Sequence, residues 1–349
     1  MDPIITLAHM SFNNVSAAEQ QAFAVQHEID LDQSNKNIQE VVNQRIQKIE
    51  EKLKNPNLSE SDQAQLRQEM ALECAKTGDL KRFYVYFDTI GQKSISQDLL
   101  FQLDAAVIRI AILKNDQQLF EKHLAQINTY KNLSFDNNSQ LEIYQAVSIL
   151  LFRAPHLKFI RQIAPLLTNN ISTFSAESLM SFEEFIITSF IIAICKFSRK
   201  ELQQLIDKQM DNFNYVLSNN VCKILLEVVN CQYQNFQNAV EMLRTEIKMN
   251  FYVSKYAEVL VDLFKAKVYE QYLKTYNSVG LDKISLDLKV DKNQLINELE
   301  YFIFTDQLKA KMNEATLIKV NDDTCTDLFN KFYDAANKLV TKVEIAQRK

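Results

Sequence analysis

The sequence predicts a mainly α-helical protein: a right-handed α-solenoid of helical hairpins, then a winged helix, then one long C-terminal helix. Three observations carry this. The 349 residues include only 3 Gly and 4 Pro; strand-rich folds use both at their turns, so long helices with short connections are expected. Turn signals recur at residues 78, 115, 155, 198 and 232, in steps of 37, 40, 43 and 34. Residues 281–320 then change rhythm and read as two helices followed by two short alternating stretches.

Taken in order, residues 1–30 predict one helix near 17–28 and otherwise a loosely attached arm. Ile38, Val41, Val42, Ile46 and Ile49 fall at helical spacing, and Asn55-Pro56-Asn57 ends that helix. Ser59 or Ser61 is placed to cap the next one. Five hairpins follow: 62–76 with 80–90, 98–114 with 118–130, 139–152 with 157–167, 182–197 with 201–209, and 220–230 with 236–248. Hairpins at this period suit a solenoid of tetratricopeptide-like pairs, because one hairpin cannot cover its own apolar face and neighbours must share a core. Leu99, Leu103, Ala106, Ile110 and Leu113 make such a face. An irregular helical bundle is the alternative. Helix 255–276 carries Leu260, Phe264, Val268 and Tyr272, and Ser278-Val279-Gly280 supplies its stop.

The winged-helix stretch begins with a short amphipathic helix, 281–288. Asp291 then precedes Gln294 by three, an N-cap with a capping-box partner. The helix to about 304 is expected to bury Leu295, Ile296, Leu299, Phe302 and Ile303. Leu308, Ala310 and Met312 alternate with polar neighbours as in a half-buried strand, and 316–320 returns after a turn. After Asp327, Phe329, Phe332, Ala336, Leu339, Val343 and Ala346 form a heptad seam, suited to helix-to-helix packing. The same helix folded back on its own domain is the alternative.

Composition narrows the function. Apolar residues make up 47%, with 22 Phe and 13 Tyr, enough for a continuous core. The net charge of −5 argues against a surface built for phosphate backbones. The argument is sharpest in the winged helix, where 281–320 holds six Lys, no Arg and seven acids, and the second helix has Lys292 as its one cation. A DNA-reading helix needs cations toward base edges and phosphates. A small sheet instead exposes an edge that another chain's strand can join. That edge is expected at Thr316, Leu317, Ile318 and Val320, unless the sheet merely packs on its own helices.

Five scattered cysteines without a CxxC pair suit reduced thiols, and the start of the chain lacks the basic residues of a secretory signal. The apolar run 185–195 spans roughly 17 Å as a helix, too short for about 30 Å of hydrocarbon, and reads as a core helix. His27-Glu28 opens like HExxH, but Leu31 occupies the second ligand position. The other histidines, His9, His123 and His156, are far apart, and no phosphate-cradling glycine loop exists. Glu183-Glu184 reads as a helix N-terminal charge pair, and Lys196, Arg199 and Lys200 as a solvated cap at the far end. No catalytic residue, cofactor or metal ligand is expected.

A solenoid running directly into a winged helix resembles the PCI family, named for proteasome lid, COP9 signalosome and initiation factor subunits. Three stretches narrow the likeness to lid subunits of the seventh non-ATPase type: IDLDQSNKNIQEVVNQRIQKIEEKL with QEMALECAKTGDLKRFYVYFDTI (29–53 and 68–90), STFSAESLMSFEEFIITSFIIAI (172–194) and YNSVGLDKISLDLKVDKNQLINELEYFIFTDQLKAKMNEATLIKV (276–320). The likeness implies an N-terminal arm and helix over 1–58 and repeats over 59–170. It further implies a PCI domain over 171–320, with its winged helix at 277–320, and a bundle helix over 321–349. It implies a non-catalytic scaffold of the lid, acting in ubiquitin-dependent proteolysis in cytoplasm and nucleus without nucleic acid or membrane. Partners would be other PCI subunits and the lid metalloprotease subunits, with the ATPase ring or core as further candidates. Contacts would run through the winged-helix sheet and through Phe329, Phe332, Ala336, Leu339 and Val343. The signalosome paralogue shares this layout, and an RNA-associated PCI protein is the more distant alternative. Two departures stand out: a short N-terminal arm, and Lys289 where the family often closes a helix with Gly, a cost of about 1 kcal/mol if that residue is left-handed.

Overall fold

The structure, a computed structural model, describes residues 1–30, 35–91, 96–209, 219–276, 278–313 and 315–319. It divides into two units, one of residues 1–225 and 242–261, the other of 226–241 and 262 onward. The expected C-terminal helix, with Phe329, Phe332, Ala336, Leu339 and Val343, and the expected edge residue Val320 lie outside the described residues.

The helices of the first unit include the four hairpins turning near 78, 115, 155 and 198, as the turn spacing predicts, and three helices before them. They are α1 (Pro3–Phe12), α2 (Ala17–Gln26), α3 (Lys36–Leu53), α4 (Glu60–Lys76), α5 (Leu80–Gly91), α6 (Gln97–Lys114), α7 (Gln117–Ile127), α8 (Phe135–Phe152), α9 (Leu157–Thr168), α10 (Phe182–Lys196) and α11 (Arg199–Lys208). Each hairpin turn has a local cause. Gly78 takes φ 66° between α4 and α5, and Asn115 takes φ 52° after α6, both in the left-handed region that ends helices. Ser59, Asp116, Ser134, Ser181 and Ser198 each accept a backbone N–H at the start of the next helix. The chain continues through α12 (Asn220–Val229), α13 (Phe236–Met249) and α14 (Ala257–Thr275).

Burial follows position in the stack. In α3 the core face is Ile38, Val42, Ile46 and Ile49, while Val41 is exposed. In α6 nearly every residue from Phe101 to Ile112 is buried, well beyond the predicted stripe, because helices cover it on more than one side. In α10, Phe185 to Cys195 is buried without a break, and no described helix is long and apolar enough to cross a membrane.

Polar side chains join successive hairpins. Asp98 accepts from the Ser134 N–H at 2.9 Å and from Asn137 Nδ2 at 2.6 Å. Those bonds, the backbone one first, hold its carboxyl below the usual range. Ser139 Oγ donates to Asn170 Oδ1 at 2.7 Å, and Asn170 Nδ2 donates to Glu142. These contacts also correct the start of α8. The sequence places it at 139, but the helix begins at Phe135, and its polar first turn is the joint to neighbouring hairpins.

The expectation of a loose arm at the N-terminus is overturned. Asp2 caps α1, Pro3 follows at its first turn, and Ile4, Ile5 and Ala8 are buried against the solenoid. The signal was present as Asp-Pro followed by apolar residues one and four apart.

The second unit centres on rings from three helices. Phe236 lies 6.4 Å from Phe264 and 5.8 Å from Tyr269, and Tyr269 lies 6.0 Å from Phe302 (ring centroids). Leu260, Phe264, Val268 and Tyr272 are all buried, as their spacing predicts. The winged helix runs β1 (Ser278–Gly280), α15 (Leu281–Leu288), α16 (Lys292–Phe304), β2 (Ala310–Met312) and β3 (Thr316–Lys319). Its antiparallel sheet has the order β1-β3-β2.

Candidate interaction surface

Ser278-Val279-Gly280, read from sequence as a helix stop, is a strand. It pairs with β3 in the register Ser278 to Ile318, Val279 to Leu317 and Gly280 to Thr316. On the other side of β3, Lys311 faces Ile318 and Met312 faces Leu317. The edge expected at Thr316, Leu317 and Ile318 is therefore corrected: β3 is the central strand, with a neighbour on each side. Leu317 is buried in the domain's own core, and the Thr316 hydroxyl donates to Asn313 Oδ1 in the hairpin turn. Ile318 alone of the three is an exposed apolar side chain, 40% accessible, in an outward row with Ser278 and Lys311. Among the described residues, the edges left open by the sheet order are those of β1 and β2.

α15 ends at Lys289, which takes φ 53° where glycine is favoured. Val290 N–H donates back to the Ser285 carbonyl at 3.0 Å, and Ser285 Oγ donates to the Val290 carbonyl at 2.7 Å. Asp291 then caps α16, accepting from the N–H groups of Asn293 and Gln294. The expected capping box does not form, because Gln294 Nε2 donates to Glu298 Oε1 at 2.9 Å instead of returning to the cap.

Glu298 is the anchor of this helix. Lys265 Nζ lies 2.7 Å from Oε1, and the Tyr269 hydroxyl donates to Oε2 at 2.7 Å. Burial works to raise the Glu298 carboxyl, but the bonds from Lys265, Gln294 and Tyr269 outweigh it and hold the group below the usual range. Glu298 thus ties α16 to α14. Lys292 is also engaged, forming an ion pair with Asp282. With its one cation paired, α16 presents Asn293, Asn297, Glu300, Tyr301 and Phe304 outward. Phe304 is 91% exposed and Tyr301 49%. This face suits another protein's apolar side chains and has little to offer a phosphate backbone.

Other polar clusters hold structure together. His123 Nδ1 lies 2.6 Å from Asp104 Oδ1, and its Nε2 lies 2.9 Å from the Tyr84 hydroxyl. Tyr130 donates to the other Asp104 oxygen. Burial, then nearby carboxylates, pushes the Tyr84 phenol up, and burial with the Asp104 bond does the same for Tyr130. Phenols held protonated are donors, not nucleophiles, so the cluster reads as a clasp joining α5, α6 and α7. His27 ends α2 with its ring 4.3 Å from that of Phe23 and tilted to it, and His156 caps α9. Burial raises the Cys74 and Cys222 thiols to about 12, far from thiolate chemistry at neutral pH. Glu183 and Glu184 line a cleft of about 230 Å³ with Glu246 and Asn250. Both stand in the first turn of α10, where a charge pair was expected, but burial pushes the Glu184 carboxyl up to about 7. Among the described residues, no group of three or more His, Cys, Asp or Glu could hold a metal ion.

Comparison with known proteins gives a consistent result. The model for the family described as 26S proteasome subunit RPN7 matches residues 32–205. The chain is 22% identical over 306 residues to the 26S proteasome non-ATPase regulatory subunit 6 of Oryza sativa subsp. japonica, covering 85% of this chain and 76% of that protein. It is 23% identical over 323 residues to the subunit 6 homolog of Arabidopsis thaliana, covering 89% and 80%. Against the 26S proteasome regulatory subunit RPN7 of Saccharomyces cerevisiae it is 20% identical over 325 residues, covering 88% and 75%.

Proposed function

We propose a function from one premise: this chain belongs to the family of the 26S proteasome subunit RPN7. It acts as a non-catalytic scaffold in the lid of the regulatory particle, serving ubiquitin-dependent degradation in cytoplasm and nucleus. The observation that carries the scaffold reading is the state of α16. Its cation is paired to Asp282 and its inward acid to Lys265, while Tyr301 and Phe304 stand in solvent.

On this reading the winged helix docks onto other PCI subunits through the outward row of Ile318 and the open edges of β1 and β2. The heptad seam of Phe329, Phe332, Ala336, Leu339 and Val343 packs lengthwise against helices of sister chains. The lid metalloprotease subunits are held in place by that assembly, and this chain performs no cleavage itself. Native mass spectrometry of the purified endogenous protein is expected to find it among lid subunits together with ATPases and core particle. A solitary chain that binds RNA with a steep salt dependence would overturn the proposal. Leu339→Asp should block entry into the complex while leaving the solenoid folded; a variant that still assembles would remove the seam from the interface.

A further inference from the structure

The solvent side of α16 is poor in charge. Its exposed residues are Asn293, Gln294, Asn297, Glu300, Tyr301 and Phe304, so Glu300 is the one charge among them. A helix side that stays in water is normally laced with charge, as α3 is with Lys36, Glu40, Lys48, Glu50, Glu51 and Lys52. Asn293, Asn297, Tyr301 and Phe304 follow at steps of four, four and three, a single stripe along the helix. The ties of Glu298 to Lys265 and Tyr269 on the opposite side hold this stripe outward.

The chain leaves the sheet at the Phe304 end of that stripe. The N–H groups of Gln307 and Leu308 both donate to the Phe302 carbonyl, at 2.8 and 3.0 Å, folding the turn back on the end of α16. Ala310 lies opposite Lys319 in the β2–β3 ladder, a Cα separation of about 5 Å. β3 therefore ends close to the C-terminal end of α16, and residues 320–349 set out from there. Residues 320–328 reach about 30 Å when extended, ample to turn back to Phe304. The seam that follows, Phe329 to Val343, is about 22 Å long as a helix, against about 20 Å for the 13 residues of α16. Left uncovered on a lone chain, such a seam is an aggregation hazard. A tether this short holds it at millimolar effective concentration beside α16.

We propose that α16 is the resting seat of the chain's own C-terminal seam: in the unassembled protein, residues 329–343 lie antiparallel along the exposed stripe. Phe329 then faces Phe304, Phe332 faces Tyr301 and the small Ala336 faces Asn297. Two ring pairs at one end set the register. The asparagines at the other end offer little apolar area, which keeps the contact weak enough to release. Sister helices of the lid take over the seam on assembly, a step that rests on the scaffold reading, and Tyr301 and Phe304 are uncovered at that moment.

The test uses the purified full chain, kept dilute, and two measurements. Hydrogen exchange at amides 330–343 should be about tenfold slower in the unaltered chain than in Phe304→Asp. Phe304 already stands in water, so that substitution should leave the winged helix folded. An amine-reactive cross-linker should join Lys342 to Lys292 within single chains, because the antiparallel direction brings both to one end. In the assembled lid that link should fall about tenfold. Equal exchange in the two proteins would overturn the proposal. So would a Lys342–Lys292 link formed only between copies, or one that persists undiminished in the lid. If the link never forms and Leu339→Asp still blocks assembly, the resting seat falls and the scaffold reading survives. If link and exchange difference are found but Leu339→Asp assembles, the resting seat stands and the scaffold reading loses its seam.

Discussion

Helices α10 and α16 are close in length, 15 and 13 residues, but opposite in use. α10 hides Phe185 through Cys195 entirely, with neighbours on every face. α16 hides only Leu295, Leu299 and Phe302 and leaves Tyr301 and Phe304 in water. An apolar side chain enclosed on all sides contributes to the stability of its own chain. One left in solvent contributes nothing until another surface covers it. The difference separates residues that make the fold from residues available to make a complex.

The largest expected effect tests that separation directly. Phe190→Ala in α10 should cost about 3–5 kcal/mol in urea unfolding. Phe304→Ala should cost under about 0.5 kcal/mol yet reduce recovery with lid subunits. Similar losses of stability from the two would erase the contrast. Next comes the anchor that fixes which face α16 shows. Lys265→Ala leaves a buried carboxylate short of its counter-ion and should cost about 3 kcal/mol. Because the Glu298 carboxyl is held low, its contribution is complete above the ordinary carboxylate range and is lost as pH falls through the lowered value. A Glu298→Gln variant should lack that acid-side loss in pH-dependent unfolding.

Two smaller effects of opposite sign fall in the first unit. Burial lowers His9 from 6.5 to about 4, so stability should decline as pH falls through that window, and His9→Phe should flatten the decline. Burial raises Glu184 from 4.5 to about 7, so stability should decline as pH rises through that window, and Glu184→Gln should flatten the rise side. Thermal unfolding across pH 4 to 7 distinguishes the two, the range being set by those values. The smallest change is a gain: Lys289→Gly should add about 0.5–1 kcal/mol by relieving the left-handed residue after α15.

The hairpins were legible because each depends on signals close in sequence: a cap, an apolar period and a turn residue. Ser59 and Asp291 were readable as caps for that reason. What escaped depends on distant residues. Val279 becomes part of a strand only because Leu317 lies beside it, and that pairing decided which strand is central. Asn137 looked like loop because its partner, Asp98, is 39 positions away. α1 was missed although Asp2-Pro3 announces a helix start, since its burial rests on α6 and Phe251, which no local window contains. Gln294 followed the box pattern, but its side chain turns forward and donates to Glu298, one turn ahead.

The central place of β3 limits how strongly any single junction can hold. β1 and β2 are each three residues long, and only alternate residues of an edge point their N–H and C=O groups outward. A strand added there gains about two backbone bonds, each worth about 1 kcal/mol, a contact that forms and breaks readily alone. A ring of such junctions would hold by avidity: each neighbour already seated raises the effective concentration of the next. Such an assembly tolerates trial placements early, corrects misplaced members by simple dissociation, and becomes durable only near completion.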